Sequence, residues 1–341
     1  MHAAQFGSPV SGHGVAALSP WLPAFAVALA TFATSLAMLV LVTIDALAPA
    51  RARSLAVDTG EAGGSSSIAV EAAQPSLAPP RFAERTPGSV ELATDPRLQA
   101  AVEAALGSEV SHYGVVVRRL KDGRGVAINA AQQFYAASTF KLAVLYQVEL
   151  LHDQGLVHDS DTIVLSKADA AEDLGTIRDV PTGPDGSITI ADALHAMITI
   201  SDNATAVALL HLVGASNVDT TLSRLGLQHT SVNTTDLPTD AADMALLMEA
   251  IVDGNGVSDR ARQEMRDLLA AQETRTGIPA GLPANVPVGN KTGTWKGATH
   301  DVAFVDAPGG MYVIAVLSDG DWSWAPIARV SKAVYETLAS E

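Results

Sequence analysis

Hydrophobic and polar positions divide residues 95–341 into strands near both ends and helices in between. A helix is predicted at 96–107, with Pro96 at its start and Gly107 at its end. Period-two alternation and turn residues predict strands at 113–120, 125–129, 286–293, 300–306 and 311–318. Helical periodicity with glycine punctuation predicts helices at 138–153, 190–199, 203–213, 217–225, 239–252, 258–272 and 324–339.

This order of elements predicts an α/β (α+β) fold. The first hairpin and the last three strands are expected to form one antiparallel five-stranded sheet, because strands open and close the chain. The N- and C-terminal helices would cover this sheet, and the central helices would form an inserted, all-helical subdomain. A cleft where the sheet meets that subdomain is a natural place for a functional site.

The chain before residue 95 has a different composition. Residues 21–44 carry no charged side chain over 24 positions, which is long enough to cross a bilayer as a helix. We expect residues 1–50 to be either a membrane anchor or a signal peptide with a small-residue cleavage site, which predicts an extracytoplasmic location. Residues 51–94 are rich in Ala, Gly, Ser and Pro and predict a flexible linker. Residues 95–341 then form a single folded domain.

Charge and cysteine content exclude several classes of function. Lys and Arg number 21 and Asp and Glu number 37, so the net charge of −16 argues against a nucleic-acid partner. The chain has no cysteine, which excludes disulfides, a thiolate nucleophile and cysteine-ligated metals. Its nine histidines show no metal-ligand spacing, so neither a metal nor a cofactor is expected. We expect a monomer.

A Ser-x-x-Lys motif, Ser138 to Lys141, begins an apolar helix. Positions i and i+3 share one face of a helix, so the lysine amine would lie beside the serine hydroxyl. A lysine becomes a base when burial or a second cation lowers its pKa, and it can then activate the serine as a nucleophile. The structural alternative is an N-cap serine with a solvated lysine, but this helix is apolar nearly all round.

Two further motifs follow at intervals of 60 and 90 residues. Ser201-Asp202-Asn203 separates two helical segments, and alone it is explained equally well as a turn. Lys291-Thr292-Gly293 lies on a predicted strand. Its lysine and threonine can bind a carboxylate, and its glycine allows close approach of a ligand. Alone, this motif also fits an exposed strand with a polar end.

Together, in this order, the three motifs resemble those of the class A serine β-lactamases and the penicillin-binding proteins. The resemblance covers essentially all of 95–341 and implies a β-lactamase/transpeptidase-like fold without a cofactor. It implies a serine acyl transfer on a β-lactam or a peptidoglycan-like peptide, through an acyl-enzyme.

The same resemblance implies a role for each motif residue. Ser138 would attack the carbonyl, Lys141 would assist removal of its proton, and Ser201 would pass a proton to the leaving nitrogen. Asn203 would orient the substrate amide and Lys141. The substrate carboxylate would be held by Lys291 and Thr292, next to Gly293, and the backbone N–H groups of Ser138 and Thr294 would form the oxyanion hole.

One element of the class A pattern is missing. The class A enzymes carry a glutamate, between the second and third motifs, that activates the deacylating water. Here no glutamate lies between Ser201 and Glu249, and the loop that should carry it is nearly gone. Asp236 is the nearest substitute, but we expect it to be a turn residue rather than the base. The alternative function is therefore a penicillin-binding, D,D-peptidase-like or β-lactam-sensing module that deacylates slowly.

Overall fold

A computed structural model describes residue 82, residues 92–320 and residues 323–340. Within these residues the strands are β1 (Ala93–Thr94), β2 (Tyr113–Arg119), β3 (Arg124–Ile128), β4 (Phe134–Tyr135), β5 (Thr162–Val164), β6 (Ser187–Thr189), β7 (Pro238–Thr239), β8 (Val288–Trp295), β9 (Ala298–Ala307) and β10 (Gly310–Ser318). The α-helices are α1 (Pro96–Leu106), α2 (Lys141–Asp153), α3 (Lys167–Ala171), α4 (Ile190–Thr199), α5 (Asn203–Val213), α6 (Ala215–Leu225), α7 (Ala241–Asp253), α8 (Asp259–Ala270) and α9 (Ala325–Ala339).

The main sheet has the strand order β1-β3-β2-β10-β9-β8 and is antiparallel except at one edge. The five predicted strands are all present, but the predicted number is one too low. The sixth strand is β1, in which Ala93 and Thr94 pair in parallel with Arg124 and Gly125. Two residues carry no periodicity, so only the tertiary structure defines this strand.

Alternation along the strands builds a hydrophobic core on each face of the sheet. In β2, Val115 and Val117 face the core that includes residues of α1 and α9, whereas Val116 faces the core of the central helices. The predicted arrangement of terminal helices on the sheet and a helical subdomain beside it is confirmed.

Helix α2 runs through the interior of the helical subdomain. All ten residues from Lys141 to Leu150 are buried, including three with charged or amide side chains. A helix with no solvent-facing stripe must be packed on every side. Any charge on this helix is therefore held by specific partners rather than by water.

The predicted anchor or signal peptide at 1–50 and most of the predicted linker at 51–94 lie outside the described residues. Two parts of the linker are described, and both contact the folded domain. These are β1 at the sheet edge and Phe82, which packs against the core of the central helices. Within the described ranges, the structure contains no helix of the length and apolarity that crossing a membrane requires.

Candidate active site

A short strand and a tight turn position Ser138. Strand β4 pairs with β7 and is followed by a 3₁₀ turn, Ala137–Phe140, before α2 begins. The predicted helix start at 138 is therefore three residues too early. Both the backbone N–H and the hydroxyl of Thr139 donate to the carbonyl of Ala136, at 3.1 and 2.6 Å, which closes the tighter turn. Ala137 has a φ of 45°, in the left-handed region that non-glycine residues rarely adopt.

Lys141, one turn beyond Ser138, is completely buried. Its Nζ lies 2.7 Å from the Ser201 carbonyl oxygen, 2.7 Å from Asn203 Oδ1 and 3.2 Å from Ser201 Oγ. Burial, followed by the nearby charge of Lys291, holds the Lys141 pKa well below its ordinary value. The amine therefore reaches its neutral, basic form more easily than an exposed lysine does.

The second motif lies at the break between α4 and α5. Ser201 has a φ of 59°, which turns its carbonyl and its hydroxyl toward Lys141. Asp202 is the N-cap of α5, and its Oδ1 accepts hydrogen bonds from the Thr205 backbone and hydroxyl, each at 2.7 Å. The hydroxyl of Thr176 donates to the other Asp202 oxygen at 2.6 Å. Asp202 thus fits the turn explanation, while Ser201 and Asn203 contact the amine of Lys141.

The side chain of Lys291 reaches the Ser201 hydroxyl from strand β8 of the main sheet. It pairs in register with Val302, whose side chain belongs to the core of the central helices, so Lys291 also faces the helical subdomain. Its Nζ donates to Ser201 Oγ at 2.9 Å and to the Thr292 carbonyl at 3.0 Å. Burial lowers the Lys291 pKa to about 7, against the opposing effect of Asp301. Two buried amines thus converge on one hydroxyl.

The rest of the third motif lies against the nucleophile turn. A Cβ placed on Gly293 would lie 3.2 Å from the Ser138 nitrogen and 3.1 Å from the Ala136 carbonyl oxygen. A side chain at this position would therefore require β8 or the turn at Ser138 to shift by a few tenths of an ångström. Thr292 is buried and Thr294 is exposed. All eight residues predicted from the three motifs thus lie in, or on strands and turns that border, one site.

A buried polar pair, Asn290 of β8 and Asp301 of β9, was not predicted from the sequence. Asp301 accepts hydrogen bonds from Asn290 Nδ2 at 2.9 Å and from the Ile278 backbone N–H at 2.7 Å. Burial raises the Asp301 pKa to about 7, in spite of these bonds and the charge of Lys291. The available signal was a polar residue inside each of two otherwise apolar strands.

His300 anchors the nucleophile strand from β9. Its Nε2 lies 2.8 Å from the Tyr135 carbonyl oxygen, and its Nδ1 accepts from the Ser318 backbone N–H at 3.1 Å. Nε2 therefore carries the hydrogen. Burial lowers the pKa of His300 to about 4, so the ring is neutral and positions the strand three residues before Ser138.

The loop between α6 and α7 contacts the segment just before Ser138. The Leu237 carbonyl accepts a hydrogen bond from the Ala136 N–H at 2.8 Å, and Leu237 has a φ of 36°. Asp236, next to it, is exposed. The loop thus meets this segment through the Leu237 backbone, with Asp236 exposed to solvent.

Comparison with known proteins identifies the family. The model of the β-lactamase enzyme family matches residues 97–338. The chain is 32% identical to β-lactamase AST-1 of Nocardia asteroides over 267 residues, which cover 72% of this chain and 83% of that protein. It is also 32% identical to β-lactamase FAR-1 of Nocardia farcinica over 236 residues, or 64% and 73% of the two chains.

Solved structures agree with this assignment. An acyl-enzyme complex of a PBP-A mutant with penicillin G superposes with a TM-score of 0.67 at 25% identity, covering 78% of this chain and all of that one. An ancestral class A β-lactamase gives 0.62 at 29% identity, covering 71% and 98%. The chain belongs to the β-lactamase enzyme family and is a class A β-lactamase-like serine hydrolase.

Proposed function

We propose that this protein hydrolyses β-lactams through an acyl-enzyme on Ser138. The observation that carries the proposal is the position of Ser201 Oγ, 3.2 Å from the amine of Lys141 and 2.9 Å from that of Lys291. This hydroxyl connects Lys141, the proposed base one helical turn beyond Ser138, with the face of the site that β8 borders. It is placed to move a proton between them.

Three acceptors surround the amine of Lys141, which match the three donors of its protonated form, and its neutral form fits the same contacts. A neutral amine has two N–H donors and one lone pair. The two N–H groups match the carbonyl oxygen of Ser201 and the Oδ1 of Asn203, each at 2.7 Å. Lys291 donates to Ser201 Oγ, which leaves the Ser201 O–H free to donate to the Lys141 lone pair. The ring of contacts is complete with one protonated and one neutral lysine.

Acylation follows from this arrangement. Lys141 takes the proton of the Ser138 hydroxyl as Oγ forms a bond to the lactam carbonyl carbon. The C–N bond of the lactam then breaks, and its nitrogen takes the proton of Ser201 Oγ. Ser201 recovers a proton from the Lys141 ammonium, which returns to the neutral state. Each proton that leaves Ser138 thus arrives on the lactam nitrogen.

Substrate binding uses the third motif. A β-lactam carries a carboxylate, and Lys291 with Thr292 in the middle of β8 would hold it by charge-assisted hydrogen bonds. The backbone N–H groups of Ser138 and Thr294 would stabilise the oxyanion, with Gly293 keeping the two segments close. Asn203 would orient both the substrate amide and Lys141.

Deacylation requires a base, and the loop between α6 and α7 supplies no glutamate. We assign this step to Lys141 as well. The neutral amine would accept a proton from the attacking water and return it to Ser138 Oγ as the ester bond breaks. The second candidate function depends on how well Lys141 performs this step. If Lys141 activates water poorly, the protein is a penicillin-binding or sensing module, for β-lactams or peptidoglycan-like peptides, that stays acylated.

The composition of the N-terminal segment supports an extracytoplasmic location for the protein. The uncharged block at 21–44 and the linker composition at 51–94 support a domain exported from the cytoplasm and held at or released from the membrane. β-Lactams and peptidoglycan peptides are encountered there.

The test uses the full chain, a chromogenic cephalosporin and intact-mass spectrometry over time. Many turnovers, with a transient adduct that is absent in Ser138→Ala, are expected. A single burst followed by a persistent adduct would favour the second candidate. The absence of both turnover and adduct would refute acyl transfer on β-lactams.

The Asp236→Asn variant tests the deacylation base. Because Asp236 is exposed, we expect this variant to deacylate at the wild-type rate. A persistent adduct in the variant alone would move the role from Lys141 to Asp236.

A further inference from the structure

The far end of α2 carries a second group of ionisable side chains. Glu149 and His152 are three residues apart and share a helix face. Glu149 is completely buried, although it lies about 12 Å along the helix from Lys141 and takes no part in the active site. A buried carboxylate away from a catalytic site requires partners that offset its desolvation.

Three polar atoms in this region lack such partners. Among the described residues, Glu149 Oε1, His152 Nδ1 and Asp159 Oδ1 are buried atoms without a hydrogen bond. His152 Nδ1 lies 3.5 Å from Asp159 Oδ1 and 3.9 Å from the second oxygen of Glu149. His152 Nδ1 thus lies near two carboxylates without a hydrogen bond to either.

Glu264 on α8 completes the group. Ligand atoms of Glu149, His152 and Glu264 all lie within 4.8 Å of one another. Arg260 donates to Glu149 Oε2 at 3.1 Å and also to Glu264 Oε2. It therefore fixes one oxygen of each carboxylate and leaves the other available, as partners around a metal site do.

The local charge favours a cation. Glu149, Asp159 and Glu264, with Asp153 beside them, supply four carboxylates, and the guanidinium of Arg260 pairs with three of these. A metal ion would offset the remaining negative charge and would also give the imidazole nitrogen a partner.

We propose that Glu149, His152 and Glu264 bind one Zn²⁺ ion, with water in the fourth position. One imidazole nitrogen with two carboxylate oxygens and a water molecule is a donor combination suited to zinc rather than to calcium or magnesium. The expectation of a chain without metal rested on the spacing of the histidines in the sequence. Here α2 and α8 contribute the ligands, which that spacing does not show.

The experiment uses the full chain, stripped of metal with EDTA, dialysed and titrated with ZnCl₂. Calorimetry gives the stoichiometry and affinity, and thermal unfolding gives the accompanying rise in Tm. We expect one zinc per chain. His152→Ala should weaken binding by about 100-fold or more, since loss even of an indirect partner costs up to that much.

Two further variants keep the test decisive. Glu149→Gln preserves side-chain shape and should also weaken zinc binding, even if His152→Ala fails to fold. His112→Ala, which removes an exposed histidine elsewhere, should bind zinc as the wild type does. Zinc binding equal to wild type in Glu149→Gln and His152→Ala would overturn the proposal. So would a wild-type chain that binds no zinc.

Discussion

Replacing Ser201 with alanine removes the hydroxyl that both buried amines contact, at 3.2 and 2.9 Å. The path from Lys141 to the lactam nitrogen is then broken, while Lys141 keeps its two carbonyl contacts. A positioned proton donor contributes about 10²- to 10⁴-fold to a rate. We expect acylation to slow by about 10³-fold, which corresponds to about 4 kcal/mol in the activation barrier.

Acylation is measured as the rate at which the intact mass increases after mixing with benzylpenicillin. Ser340→Ala removes an exposed hydroxyl at the end of α9 and is the matched control. Thermal unfolding of both variants shows whether the fold is retained. If Ser201→Ala acylates within about tenfold of wild type, Ser201 is not the proton carrier and the mechanism proposed above is wrong.

Three other predictions concern the same site. With rising pH, kcat/KM should increase as Lys141 loses its proton and decrease near pH 7 as Lys291 loses its own. A bound substrate carboxylate raises the pKa of Lys291, so kcat should decrease only at a higher pH than kcat/KM does. Gly293→Ala should slow acylation at least tenfold, because its Cβ would crowd the nucleophile turn. Asn290→Ala should destabilise the fold by about 2 kcal/mol in urea unfolding, because Asp301 loses a buried donor.

A kcat/KM that stays flat across neutral pH would show that Lys291 does not titrate there. Gly320→Ala, whose Cβ meets only an ordinary contact at 3.8 Å, should acylate normally, and an equal loss in both glycine variants would point to general destabilisation. Gln263→Ala, which breaks an exposed hydrogen bond, should leave stability unchanged. If it costs as much as Asn290→Ala, burial of Asp301 is not the cause.

The helices whose bounds were predicted correctly are those with recognisable capping or terminating residues in the sequence. Helices α4 and α5 begin and end where the sequence placed them. Thr189 caps α4 and Asp202 caps α5 with side-chain hydrogen bonds, while Gly214 ends α5. Capping depends on residues within one turn of the helix end, so a sequence alone reveals it.

The features that could not be predicted depend on contacts between distant segments. Strand β1 exists because Ala93 and Thr94 meet Arg124 and Gly125. The 3₁₀ turn at Ser138 depends on hydrogen bonds to the Ala136 carbonyl, and the motif alone predicted an ordinary helix start. Likewise, the three motifs predicted which residues share the site, but the convergence of both amines on Ser201 Oγ required the structure.

Because α2 is buried on every side, it cannot unfold locally by itself. A helix at the edge of a fold can detach while the rest of the molecule remains folded, but α2 would have to break its packing with α4, α5, α6, α7 and α8 at once. Backbone amides along this helix should therefore exchange with solvent deuterium only through global unfolding. The turn at Ser138 would then be attached to a slowly exchanging segment, and the geometry of the site would be set when the protein folds.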